Sequence, residues 1–372
     1  KNEVTTTGTA SLGAGMIPLL WDANITPMTF SRKFQVANSY QANNTGNDAA
    51  RQLSALTLQD MRNRADRPRE NPEMLGIQSM IPPDFNENRY LNNNIHLINS
   101  NALLRLSKDY QLRANLYYIH DNQQQQGIRN RTIYTPLDTL NFSESLENRL
   151  NDHYLQGEFT LNRNIKDNYL DNKLKIHTRW DNRNGRITIN DQLLGQSLKL
   201  PLRNISNELR SVKPTGNHLI ELKSFVSYDH SPQQLIISPG QYEHLLNFGE
   251  PFDGLKQNLE LHRLYSDHSA GFSFSWKGIS IRPRAGISYR WQRVDSSLLK
   301  QIDDEWHLAP ISYANCLESD HLRTYLNTEF SYRIKDVSLT AALPIGWQRA
   351  ELYDANLMDG QEINRLVFDP RI

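Results

Sequence analysis

The residues able to do chemistry are scattered. His153, His177, His218, His230, His262, His268, His307 and His321 fall in separate segments. None makes the four-residue helical pair that would put two imidazoles on one zinc ion. A metal site assembled across strands would depend on a register that spacing alone does not supply, so these histidines read as solvated or inward-facing. Asp303-Asp304-Glu305 lacks the alternating ligands and the glycine of a calcium loop and reads as a solvated turn. Cys316 is the single cysteine, so the chain can form neither an internal disulfide nor a thiolate metal cage. No local base or helix start is suggested beside that thiol. No Gly-Xaa-Ser-Xaa-Gly elbow and no phosphate-cradling glycine loop is present. The expectation is a protein with no catalytic, cofactor-binding or metal-ligating set, working by charge and contact.

Two groups of residues could supply that. Arg113, Glu158, Lys175, Arg179, Arg282, Arg284, Arg290 and Glu329 all sit opposite the apolar residues of alternating segments. On a barrel they would face the lumen. Opposite charges there can pair across strands, or an uncompensated arginine cluster can attract anions. Tyr242, His244, Phe248 and Phe252 lie in the polar segment from Asp229 to Leu264. They can serve as an exposed contact surface or simply pack that segment onto its scaffold.

The elements that would position these residues are strands. From Ile279, the residues Ile281, Pro283, Ala285, Ile287, Tyr289 and Trp291 alternate with Ser280, Arg282, Arg284, Gly286, Ser288, Arg290 and Gln292. Side chains in a strand point alternately to opposite faces, so one face is apolar and the other polar and basic. Ala270 to Trp276 alternates in the same way, and only Lys277-Gly278 separates the two runs, which predicts a tight hairpin. The pattern recurs around Lys108-Asp109, around 166–172, around 213–217 and around Lys335-Asp336. Strands of about nine to fourteen residues match the length needed to cross a bilayer at a tilt. Trp180, Trp276, Trp291, Tyr118, Tyr228, Tyr289, Tyr332 and Trp347 lie towards strand ends, where interfacial girdles form. Packing of a soluble sheet is the alternative for these aromatics.

Between the short turns lie polar stretches at 43–89, 121–151, 182–196, 229–264 and 294–320, which read as long loops gathered at one end. Gln123 to Gln126 reads as a loop tip and Leu53 to Arg64 as a short amphipathic helix in the first loop. A net charge of zero argues against a nucleic-acid binder that relies on phosphate attraction. No apolar run reaches the length of a membrane helix. The expected fold is therefore all-β, an antiparallel transmembrane β-barrel over residues 1–372, with short turns at one end and long loops at the other.

Pro18-Leu19-Leu20-Trp21, Phe30-Ser31-Arg32-Lys33-Phe34-Gln35 and Tyr40-Gln41-Ala42-Asn43-Asn44-Thr45-Gly46-Asn47 resemble the first barrel hairpin of TonB-dependent-receptor-like outer-membrane proteins. The likeness is to the group whose plug follows a carboxypeptidase-regulatory-like domain. It implies a barrel in outer-membrane lipid, nutrient uptake driven by an energy-coupling TonB protein, and a surface lipoprotein or other outer-membrane partner. The sequence departs from that plan. It shows no plug-like domain, and its roughly thirteen strands are fewer than the 22 of plugged transporters. The expectation is part of a longer chain. A complete smaller barrel acting as a channel or as an assembly scaffold is the alternative, and an outer-membrane enzyme ranks behind both.

Overall fold

The structure is a computed structural model that describes residues 3–48, 73–135, 139–165, 168–216, 218–334 and 337–370. The sequence-predicted helix at 53–64 lies outside the described residues. Turn chemistry, visible in the sequence, sets the chain direction. Lys277 and Gly278 both take positive φ, at 46° and 82°, the left-handed pair of a two-residue hairpin turn that glycine adopts without strain. Asn190-Asp191 and Asp303-Asp304 do the same with short polar side chains that tolerate this backbone.

The strands so connected are β1 (Thr5–Gly15), β2 (Leu20–Phe30), β3 (Phe34–Asn43), β4 (Asn92–Arg105), β5 (Tyr110–Tyr134), β6 (Thr139–Ile165), β7 (Asn168–Ile189) and β8 (Gln192–Thr215). They continue as β9 (His218–Ser238), β10 (Gly254–Trp276), β11 (Ile279–Ile302), β12 (Glu305–Leu308), β13 (Asn315–Ile334), β14 (Val337–Asp354) and β15 (Asp359–Phe368). All belong to one 15-stranded antiparallel sheet in which each strand pairs with its chain neighbours, with short β12 a side branch on β11. The path runs from β1 to β15 and is not closed between them. One short helix, α1 (Glu243–Leu246), lies between β9 and β10.

Most strands are longer than the sequence predicts: β6 has 27 residues and β5 has 25. Four of the expected long loops are therefore corrected largely to strand, 229–264 among them, because 229–238 completes β9 and 254–264 begins β10. Residues 121–134 and 139–151 extend β5 and β6, 182–189 and 192–196 extend β7 and β8, and 294–302 extends β11. The reason lies in the side chains. Ile205, Tyr228, Leu264 and Trp291 form one register row on the outer face of β8 to β11. Beside it, on the inner face, runs the polar row His177, Asn204, Asp229, Arg263 and Gln292. One step towards the 190s turn the pattern inverts. The outer row becomes Arg203, His230, His262, Arg293 and Glu318. The inner row becomes Ser231, Leu261, Val294 and Leu317. The strands continue while the apolar parity changes sides, so a search for one apolar parity loses them there.

Past that inversion the inner face holds the main core. Leu75, Leu198, Leu200, Leu259, Leu261 and Val294 are buried together, with Ile77, Leu235 and Leu317 packed against them. On the other side of it the apolar groups stand open on the outer face, with Ile176, Ile205, Leu222, Ile287, Leu326 and Ile345 each 45–50% exposed. Replacing Leu200 or Leu261 with alanine should cost about 2–5 kcal/mol, the usual penalty for emptying a closed leucine site. Ile205→Ala on the exposed face should stay within about 0.5 kcal/mol in detergent, where nothing from the protein packs on it. Unfolding of the folded chain in micelles measures both; equal costs would refute the assignment of faces.

Candidate functional site

The inner face carries two polar assemblies on either side of the leucine core. The first ties down residues 73–80, which cross the wall without joining the sheet. The amide N–H groups of Met74 and Leu75 both donate to Gln233 Oε1 at 3.0 Å. The Gln78 amide donates to Gln196 Oε1 at 2.8 Å, and Asn148 Nδ2 donates to the Gln78 carbonyl at 2.9 Å. Leu75 then enters the leucine cluster. Ionic contacts complete the strap. Glu73 meets Arg179 at 2.9 Å and Arg183 at 3.4 Å; Asp181 meets the same two arginines at 2.9 and 3.4 Å; Arg183 also meets Asp152 at 3.3 Å. Three carboxylates thus share two guanidinium groups.

Asp181 lies past Trp180 on the side of the 190s turn, and its side chain is almost wholly enclosed. Burial pushes its carboxyl up to about 7, aided by the like charge of Asp152 and opposed by Arg179 and Arg183.

The second assembly is a cavity of about 370 Å³ on the inner side of β10, β11, β13 and β14. Tyr265, Asp267, Arg284, Arg290, Arg323 and Tyr325 line it. Gly286 makes its shape possible: a Cβ there would lie 2.4 Å from the Tyr325 ring. With that space open, Tyr325 spans β11 and its hydroxyl donates to Asp267 Oδ1 at 3.1 Å. Arg284 is committed to Glu221 and donates to Ser269 at 3.1 Å. Arg290 lies over the Tyr265 ring at 5.7 Å and Arg323 over the Tyr325 ring at 5.3 Å. Among the described residues neither forms a salt bridge with a carboxylate, and Arg323 Nε is buried without a hydrogen-bond partner. Two guanidinium groups beside one cavity can hold an anion, against the single carboxylate of Asp267, which accepts from Tyr325.

The sequence-predicted inward residues divide between these assemblies and plain wall pairing. Arg179 belongs to the strap network, while Arg284 and Arg290 line the cavity. Arg282 is paired with Glu329 at 3.1 Å. Glu158 meets Lys173 at 3.7 Å and is the register partner of Lys175. Arg113 stands exposed opposite Thr160 and joins neither assembly. Among the loop residues, Phe252 is buried with Leu246 and Leu255, which is packing. Tyr242 and Phe248 stand out at 66% and 99% exposure, and His244 is exposed beside them. Glu73, Asp152, Arg183, Asp267, Arg323 and Tyr325 belong to these assemblies and are not among the sequence-predicted site residues. Arg323 and Tyr325 carry the inward parity of their strand, so the same alternation could have marked them; Glu73 had no periodic signal.

On the outer face the inversion is edged by rings. His96, His120 and His153 are neighbours in register or contact, and His153 stacks on Trp180 at 5.3 Å. Three times a tyrosine hydroxyl meets a histidine Nδ1 on the next strand: Tyr40 with His96 at 2.9 Å, and Tyr118 with His153 and Tyr228 with His262 at 2.8 Å each. Such amphipathic rings suit a boundary between an apolar and a wet surface.

No family of known proteins and no curated protein matches the sequence. Among solved structures, the chain is similar to the ferric-catecholate import receptor Fiu of E. coli K12 in its open form. The two are 8% identical, with a TM-score of 0.29 over 94% of this chain and 69% of that one. What defines the protein's class is its own architecture: an all-β, antiparallel sheet whose polar and apolar faces exchange sides along the strands.

A carboxyl whose pKa is raised on folding lends stability by keeping its proton, fully at low pH and progressively less as pH rises through about 7. Asp181→Asn fixes the uncharged form. Its melting temperature should fall less than that of the parent chain between pH 5.5 and 8.5, by a few degrees. Parallel pH slopes in thermal unfolding would remove Asp181 as the titrating group.

Proposed function

We propose that the chain forms the wall of an outer-membrane β-barrel that binds and passes a polar, anionic solute along its inner face. One observation carries this: the apolar face is outward on one side of the tyrosine–histidine rows and inward on the other. A soluble sheet buries its apolar face; here Ile176, Ile205, Leu222, Ile287, Leu326 and Ile345 stand on the uncovered side, while the enclosed side beside Ile176 and Ile205 holds His177, Asn204, Asp229 and Arg263. Asn204 donates to Asp229 at 2.6 Å and Arg263 meets Asp229 at 2.9 Å, so the buried charge is compensated. An apolar band outward, aromatic rings at its margin and polar side chains inward are what lipid outside and water inside require. The strand extensions beyond the rings, apolar inward and charged outward, suit water on both sides of a wall sealed by its own core.

β1 and β15 leave two sheet edges, and lipid does not tolerate unpaired backbone, so on this reading these edges are covered by barrel closure or by further strands. Energy-coupled nutrient uptake through a TonB protein is the finer form of the proposal and comes from the resemblance of the first hairpin. The Arg290–Arg323 cavity supports an anionic cargo. No catalytic step is part of it. A scaffold for surface partners is the second reading, favoured by the outward Tyr242 and Phe248 at the β9–β10 connection.

Ile287→Arg should destabilise the chain folded in lipid by about 2–4 kcal/mol if it lies near mid-bilayer. Ser288→Ala on the enclosed face should cost well under that. Equal effects in a lipid-bilayer folding titration would defeat the membrane assignment.

Anion binding is tested separately. Arg290→Gln with Arg323→Gln should leave the barrel folded and lower anion selectivity in a planar bilayer, with steeper loss at low salt because charge attraction is screened over about 8 Å at physiological ionic strength. Unchanged selectivity in a folded double variant would leave the scaffold reading.

A further inference from the structure

On the outer face, three ligating side chains from two strands converge. His230 on β9 and His262 on β10 are direct register partners, and their rings stack with centroids 4.5 Å apart and planes 11° from parallel. Glu260 lies two residues from His262 on the same strand and face. Its Oε1 is 3.1 Å from His230 Nε2 and 3.2 Å from His262 Nε2. All three ligand atoms lie within 4.8 Å of one another. Zinc binds imidazole nitrogen and carboxylate oxygen at about 2.0–2.2 Å, so a tetrahedral site sets its donors about 3.3–3.5 Å apart. Two of the three separations are already near that value, and small side-chain rotations close the third.

The surroundings favour a fixed site. The strand positions beside these ligands point inward as Leu259 and Leu261, both buried in the main core, so the backbone under the cluster is anchored. Tyr228 Oη meets His262 Nδ1 at 2.8 Å. With the metal on Nε2, the Nδ1 proton would be donated to that phenol oxygen, the second contact that orients a ligating imidazole. The charges nearby are mixed. Arg203 registers with His230 and Arg293 with His262, but Arg293 is held by Asp295 at 2.7 Å, and Asp295 is itself the register partner of Glu260. The carboxylates offset the arginines, so a dication is not opposed by a net positive field.

We propose that His230, Glu260 and His262 form a binding site for a divalent transition-metal ion of the zinc class, with a fourth coordination position open to water or an external donor. Two imidazoles and one carboxylate select zinc, nickel or copper over calcium or magnesium, which prefer all-oxygen cages. The site clamps β9 to β10 in the first polar row beyond Tyr228 and Trp291. Its existence does not depend on the transport proposal, because it stands on side-chain geometry in either a membrane or a soluble sheet.

The other stacked histidines provide the control. His120 and His153 lie 4.3 Å apart, but no carboxylate joins them in a three-ligand group among the described residues. Zinc chloride titrated into the folded full chain in detergent, followed calorimetrically, should show one site. Its affinity should fall by at least about 10-fold in Glu260→Gln and further in His262→Ala. His120→Ala should leave it unchanged. Zinc should also raise the melting temperature of the parent chain more than that of Glu260→Gln at the same zinc concentration, and excess calcium chloride should not displace it. Cobalt chloride should give a visible band of low-coordinate cobalt that Glu260→Gln weakens, which follows the ligand set without relying on stability. Glu260→Gln keeps side-chain shape, so it serves if His262→Ala fails to fold. Affinity unchanged in a folded Glu260→Gln chain, zinc displaced by calcium, or no saturable zinc binding would each overturn the assignment.

Discussion

The fixed strand register is the constraint on which everything else hangs. A strand alternates faces at a strict period of two and cannot rotate a side chain to the other face without a bulge. The chain keeps β7 to β11 paired over more than twenty residues each. It therefore changes environment by exchanging residue types between parities. Ile205, Tyr228, Leu264 and Trp291 give way on the outer face to Arg203, His230, His262 and Arg293, and the inner face changes in the opposite sense. The step takes one register row, which places the boundary between two surroundings sharply across several strands.

That boundary organises the charges. On the inner face below it, the polar groups are bound to one another, as in Asn204, Asp229 and Arg263, because enclosed charge without a partner would be costly. Much of the basic character that alternation reveals is cancelled in this way. Arg282 has Glu329 and Arg284 has Glu221. Arg290 and Arg323 differ in kind: each rests its guanidinium over a tyrosine ring, which stabilises the cation without neutralising it. At the cavity, ring contacts replace carboxylates, so these two guanidinium groups keep their charge.

Beyond the boundary the same wall becomes a closed core, and the strap at 73–80 is the piece that completes it. Leu75 fills the leucine cluster while Gln233, Gln196 and Asn148 satisfy the strap's backbone. A segment that joins no strand ladder needs such side-chain partners, since buried peptide groups must be hydrogen-bonded somewhere. Its ion pairs with Arg179 and Arg183 lie in a setting where Asp152 and Asp181 already compete for the same cations. That crowding makes the attachment sensitive to protonation.

The sequence by itself determined the strand segments whose apolar side faces outward and the short turns that join them. Alternation from Ile279 to Trp291, with Lys277-Gly278 before it, dictates two faces and a turn, because side-chain direction and left-handed backbone preference are local properties. It also marked Arg284 and Arg290 as inward and left Phe252 open between contact and packing. The tertiary structure decided that Phe252 is packed against Leu246 and Leu255. It decided too that 182–196 is a hairpin, because its apolar residues change parity where the surroundings change, and local periodicity has no access to surroundings. The grouping of Glu73 with Arg179, of Arg323 with Tyr265 and Asp267, and of His230 with Glu260 and His262 likewise came from register and a crossing segment. Residues about thirty to more than a hundred positions apart meet there, by strand pairing or, for Glu73, through the crossing segment, and pairing is fixed by the summed fit of whole strands rather than by the spacing of any one motif.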